Sequence, residues 1–110
     1  MRKLFAGLLS LLPYGSVLAN EAHDIMTKLP EEKRRVALSH VVRTSGESCS
    51  TVSRTFYQGS DKQGTAMWNA QCNTGRAYVV SFKNDARGTT KVLDCAVLKT
   101  VAGVNCFTKF

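Results

Sequence analysis

The segment 66–82 dictates most of what this chain can become. It reads as two strands joined through Asn73-Thr74-Gly75, with side chains alternating at the strand period of two. A two-residue Thr74-Gly75 turn sets Trp68, Ala70 and Cys72 beside Ala77, Val79 and Ser81, and leaves Tyr78, Val80 and Phe82 on the opposite face. That divides the apolar residues. A three-residue Asn73-Thr74-Gly75 loop, with Gly75 in the left-handed position after a type I turn, pairs Ala70 with Tyr78 and Trp68 with Val80. One face then carries Trp68, Ala70, Cys72, Tyr78, Val80 and Phe82. The three-residue register is the predicted one, because a small domain needs one coherent apolar face and glycine takes positive φ without steric cost.

The chain opens on an export leader. Met1-Arg2-Lys3 is a basic head, residues 4–12 are almost entirely apolar, and Val17-Leu18-Ala19 presents small residues to a signal peptidase. Cleavage is expected after Ala19, giving a periplasmic or secreted product. The apolar run, broken by Pro13 and Gly15, falls short of the roughly 20 residues of a permanent span. No second such run follows, and no lipid-accepting cysteine follows the leader.

Taking residues 1–19 from the 110 leaves 91, enough for a single small core that needs covalent help. The organisation expected is a signal peptide at 1–19, a polar arm at 20–29 and one α+β domain at 30–110. Of the 15 Lys and Arg, only Arg2 and Lys3 leave with the leader, so 13 face 8 acidic residues, a net charge of +5. These cations are scattered, except at Lys33-Arg34-Arg35, which Glu31 and Glu32 partly cancel. Such a distribution describes a solvated surface better than a nucleic-acid footprint, which clusters on one face.

All four cysteines, Cys49, Cys72, Cys95 and Cys106, follow the leader, and an even count in a small exported chain reads as two disulfides. A zinc site wants closely spaced thiolate pairs, and here no two cysteines are closer than eleven positions. Redox and haem motifs built on Cys-x-x-Cys are also missing. The pairing expected is Cys49–Cys72 with Cys95–Cys106. A strand starting near Ser50 and running antiparallel to 66–72 brings its beginning beside Cys72, and the other pair closes a short C-terminal loop.

Around the hairpin, Pro30, Glu31 and Glu32 mark a helix start and Gly46 its end, with Leu38, Val41 and Val42 as the docking stripe. Lys33, Arg34 and Arg35 are expected to face outward, their stems over apolar surface. His23, in the polar arm, reads as solvated, and His40, at the stripe's edge, as a boundary or surface histidine. Residues 50–58 favour a strand, with Val52 and Phe56 on one face and Thr51, Ser53, Thr55 and Tyr57 on the other. Residues 59–64 and 84–88 are turns, and a strand follows from Thr89 to Cys95 with Leu93 and Cys95 on one face and Val92 on the other. Short connections favour an antiparallel meander. Val97, Leu98, Val101 and Val104 suit a short helix or an edge strand, and a disulfide-tied loop with an extended tail is the reading adopted. The fold class is thus α+β: one N-terminal helix packed on a three- to four-stranded antiparallel meander sheet, stapled by disulfides.

Cys49, followed by Trp68-x-Ala70-x-Cys72-x-x-Gly75-x-x-Tyr78-x-Val80, resembles small exported bacterial proteins in which a helix leads into a PepSY-like antiparallel sheet. The resemblance covers roughly residues 38–94, with Cys95 and Cys106 outside its pattern. It implies export and the helix-plus-sheet fold, and it carries no catalytic residues over.

Two histidines without a neighbouring nucleophile motif, and acids that sit at helix starts and turns, give no catalytic constellation, and no phosphate-cradling or calcium loop occurs. The chain therefore reads as a non-enzyme without a cofactor or metal: a binding, inhibitory or accessory module acting on a protein partner through its sheet face or edge. Met67, Ala77, Val79, Val92 and Tyr57 form the candidate outward patch, unless the C-terminal segment folds over it as a second layer through Val97, Leu98, Val101 or Phe107. The alternatives are an envelope-surface binder using its +5 charge on an anionic polymer or lipid, which salt would weaken steeply, and an enzyme whose site is assembled from distant residues.

Overall fold

A computed structural model describes residues 20–110; the leader read at 1–19 lies outside the described residues. Two helices, α1 (Glu21–Lys28) and α2 (Glu31–Thr44), precede four strands, β1 (Val52–Ser60), β2 (Ala66–Cys72), β3 (Ala77–Phe82) and β4 (Thr90–Asp94), and a last helix α3 (Cys95–Ala102). The strands form one antiparallel sheet in the order β1-β2-β3-β4. This is the expected α+β meander, with α2 packed on one sheet face.

The central hairpin has the three-residue register. Trp68 faces Val80 and Ala70 faces Tyr78, while Gly75 sits at φ +92 and its N–H donates to Cys72 O at 3.1 Å. Trp68, Ala70, Cys72, Tyr78, Val80 and Phe82 are all buried, and Leu38 and Val42 of α2 complete the core with no exposed surface. Two bridges staple it: Cys49–Cys72 ties the entry of β1 to the end of β2, and Cys95–Cys106 ties the start of α3 to the tail.

Residues 20–29, expected as a polar arm, are instead a docked helix. Asn20 caps α1 by accepting from His23 N–H, and its Nδ2 donates to Gly64 O and Phe82 O at 3.1 and 2.7 Å. Met26 is buried in the core. Arg34 is turned inward, contrary to the outward placement expected. Its guanidinium donates to Met26 O and Leu29 O at the end of α1, bonds Glu31 and lies 4.9 Å over the Trp68 ring. The C-terminal carbonyls of α1 give this cation better partners than water alone.

Strand β1 is bulged at two places, between Val52 and Arg54 and between Tyr57 and Gly59. Each bulge inserts a residue and shifts the alternation by one. Val52, opposite Cys72, therefore faces the core, whereas Phe56, opposite Asn69, faces the other side. The shared face expected for Val52 and Phe56 is split by the first bulge.

The C-terminal stretch, read as a loop, begins as α3. Asp94 caps it through Oδ1, which accepts from Ala96 N–H at 2.7 Å and Val97 N–H at 3.4 Å, and Gly103 ends it in the left-handed conformation. Beyond α3 the chain covers part of the sheet's second face. Phe107 N–H donates to Asn69 Oδ1 at 2.6 Å, Gln58 Nε2 donates to Asn105 O at 3.0 Å, and Asn69 Nδ2 donates to Gln58 Oε1 at 3.1 Å. Asn69 and Gln58 are buried, and this main chain satisfies them.

Candidate functional site

The five residues expected to form one outward patch do not lie together. Tyr57 is opposite Trp68 and Val92 is opposite Val80, so both face α2 and pack half-buried against the core. The cause at Tyr57 is the first β1 bulge. At Val92 it is the 84–88 turn, where Lys83 N–H donates to Thr89 O at 2.9 Å and fixes the pairing of the strands. Met67, Ala77 and Val79 do share the second face, but Val79 is only 2% exposed and Met67 and Ala77 are half-buried. Of the residues expected to cover that face, Phe107 does so in part, stacking at 6.1 Å on Phe56 and lying 3.8 Å beneath the Arg54 guanidinium. Val97 and Val101, by contrast, point to solvent at 54% and 72% exposure.

With one face under α2 and the other partly covered, the two sheet edges differ. On β1, Thr55 N–H and Oγ1–H donate to the Glu31 carboxylate at 3.1 and 2.6 Å, and Gln58 O accepts from Phe110 N–H at 3.2 Å. Burial works to raise the Glu31 pKa, yet the bonds from Thr55 and Arg35 outweigh it and hold the carboxyl below its usual range. The outer edge of β1 is thus engaged at Thr55 and at Gln58.

The outer edge of β4 is open. In an antiparallel ladder, alternate residues turn their N–H and C=O to the neighbouring strand and away from it. The Lys83–Thr89 bond sets the phase: Lys91 and Leu93 bond inward to β3, while Thr90 and Val92 present their backbone groups outward. Among the described residues no other backbone group pairs with them. No protein-family model, curated protein or solved structure matches the chain.

Beside β4 on the α2 side runs a shallow groove of about 240 Å³, lined by Val41, Thr44, Ser45, Thr90 and Val92. On the α3 side stand Leu93, 45% exposed, and the exposed valines of α3, which packs beside β3 and β4. Lys83, Lys91 and Lys99 are exposed here as well. Asp85 and Asp94 are occupied. Hydrogen bonds from Thr89, first through its hydroxyl and then its N–H, hold the Asp85 carboxyl below the usual range. Burial pushes the Asp94 pKa up, but the Ala96 N–H and the Arg76 guanidinium, 2.7 Å away, bring it below normal.

The sequence reading missed the open β4 edge and the apolar side of α3. Val97 and Val101 at helical spacing after Asp94 were the available signal. His23 is no free acid or base. Its Nδ1 accepts from Trp68 Nε1–H at 3.0 Å, its ring lies 4.7 Å from Tyr57, and burial lowers its pKa against the opposing pull of Asp24. His40 is exposed on α2.

Proposed function

We propose that this chain is a small exported, non-catalytic binding module that takes up an extended segment of a protein partner along the outer edge of β4. The observation that carries the reading is the contrast between the edges: Glu31 and Phe110 engage β1 at Thr55 and Gln58, whereas Thr90 and Val92 on β4 offer an unpaired donor–acceptor row. Strand addition supplies affinity through main-chain hydrogen bonds and specificity through alternate side chains. The α2 groove and Leu93 are placed to receive those side chains.

Export is part of the proposal. It rests on the leader pattern at 1–19 and on two disulfides, and no helix among the described residues is long and apolar enough to cross a membrane. Cleavage after Ala19 leaves Asn20 first, already holding α1, Gly64 and Phe82. Intact mass of the exported pool should begin at Asn20, and residues 1–19 still attached there would overturn the export reading. The likeness to exported PepSY-like modules points the same way.

The functional test compares wild type with Val92→Pro as bait in envelope extract. Proline removes the outward N–H of an edge strand while sparing the inward bonds to β3. A partner retained by wild type and lost from Val92→Pro supports edge pairing. Equal retention by both, stripped by salt, would move the function to an anionic polymer or lipid.

A further inference from the structure

We infer that the segment β4 takes up is acidic, with one carboxylate beside Lys91, a small apolar residue over Val92 and a larger apolar residue beside Leu93. This rests on the edge reading and names its partner's chemistry. The register sets the pattern. Lys91 and Leu93 share the second face, opposite Ser81 and Val79, and Val92 between them faces α2. A strand added along β4 in either direction places successive residues against Lys91, Val92 and Leu93 in turn.

The charge complement follows from what the local acids already do. Asp85 Oδ1 accepts from Arg87 N–H and Thr89 N–H, and its Oδ2 accepts from Thr89 Oγ1–H. Asp94 holds Arg76 with one oxygen and the α3 N-terminus with the other. Neither reaches Lys91. Lys91 lies opposite Ser81, and Lys83, two residues beyond Ser81 on a continuing ladder, falls on the same face at a diagonal position. Among the described residues neither lysine is in a salt bridge. Two like charges on neighbouring positions of one face repel, and a carboxylate on a fifth strand relieves that repulsion. On the other side the groove between Val41 and Val92 is shallow and flanked by Thr44, Ser45 and Thr90, which suits a small apolar side chain.

The test pans a random 12-residue phage-displayed peptide library against the disulfide-bonded protein, then measures enriched synthetic peptides by calorimetry on wild type, Val92→Pro and Lys91→Glu. Enriched sequences should place Asp or Glu two positions from a large apolar residue, bind Val92→Pro at least tenfold more weakly, and lose tenfold on Lys91→Glu. Replacing the peptide's acid by lysine should restore binding to Lys91→Glu. Peptides sensitive to Val92→Pro but lacking acids, or indifferent to Lys91→Glu, would overturn the acidic partner and leave the edge reading standing. Peptides indifferent to Val92→Pro, or no enrichment, would overturn both. Circular dichroism and a melt confirm that Val92→Pro folds. If it does not, N-methylation of the peptide backbone, singly at the residue facing Val92 and at each of its two neighbours, replaces it, with the same tenfold loss expected at one of the three positions and no loss at any of them overturning the edge.

Discussion

Trp68 Nε1–H donates to His23 Nδ1 across 3.0 Å, joining the sheet's one tryptophan to a helix that precedes the main helix in sequence. A neutral imidazole accepts this proton, whereas an imidazolium presents a second N–H to it. The folded state therefore favours neutral His23, in line with the lowering of its pKa by burial. Arg34, over Trp68, and Lys109, whose Nζ lies 4.2 Å from the Tyr57 ring, put two further cations beside the same aromatic group.

The pH dependence has a definite sign. A histidine whose folded pKa lies below 6.5 contributes stability that is fully present above 6.5 and is lost as pH falls through the folded value. Urea denaturation of wild type should show stability declining below that point. Gln at this position keeps an acceptor and does not titrate. His23→Gln should flatten the decline, and equal slopes for the two proteins would remove His23 as its source.

Trp68 is 3% exposed, beneath α2 and against Tyr57 at 5.1 Å between ring centroids. Trp68→Ala should cost about 3–5 kcal/mol, the range for deleting a buried large aromatic, and wild-type emission should be blue-shifted. Unchanged melting would contradict this packing.

Gly59 sits at φ +141 in the second bulge of β1, and a Cβ there would stand 2.8 Å from the Phe110 ring. Gly59→Ala should destabilise by about 1–3 kcal/mol through backbone strain. Adding Phe110→Ala relieves the contact and leaves the strain. Thermal melts should show only partial rescue by the second change.

The two bridges should open in order. Cys49 and Cys72 are each 2% exposed, while Cys95 and Cys106 are half-buried. Thiol–disulfide exchange needs access to sulfur. Limited reduction followed by alkylation and peptide mapping should label Cys95 and Cys106 first. Loss of the inner bridge, in Cys49→Ala/Cys72→Ala, should cost about 3 kcal/mol by loop entropy.

The hairpin register, the disulfide pairing and the α2 stripe were legible because each rests on a strong local constraint: a glycine at positive φ, a strand end beside a cysteine, a helical apolar repeat. The faces of Tyr57 and Val92 were not. A bulge leaves no mark in the pattern of residues 52–58, and the five residues of β4 place valine and leucine side by side, so alternation cannot fix their phase. Docking of α1 depends on Arg34, whose charge argued for solvent until the α1 carbonyls supplied its partners. The contrast with the open β4 edge required knowing which edge Glu31 engages, a contact 24 residues apart in the chain.

The buried amides of Asn69 and Gln58 bear on how the molecule waits to be finished. A chain is synthesised reduced, and until Cys95 joins Cys106 nothing covalent keeps residues 103–110 on the sheet. During that interval the uncovered face displays two amides that water can serve in place of Asn105 O and Phe107 N–H. A wholly apolar face would spend the same interval attracting other unfinished chains. The polar pair thus makes late closure tolerable, and the cover that arrives answers both amides with its own main chain.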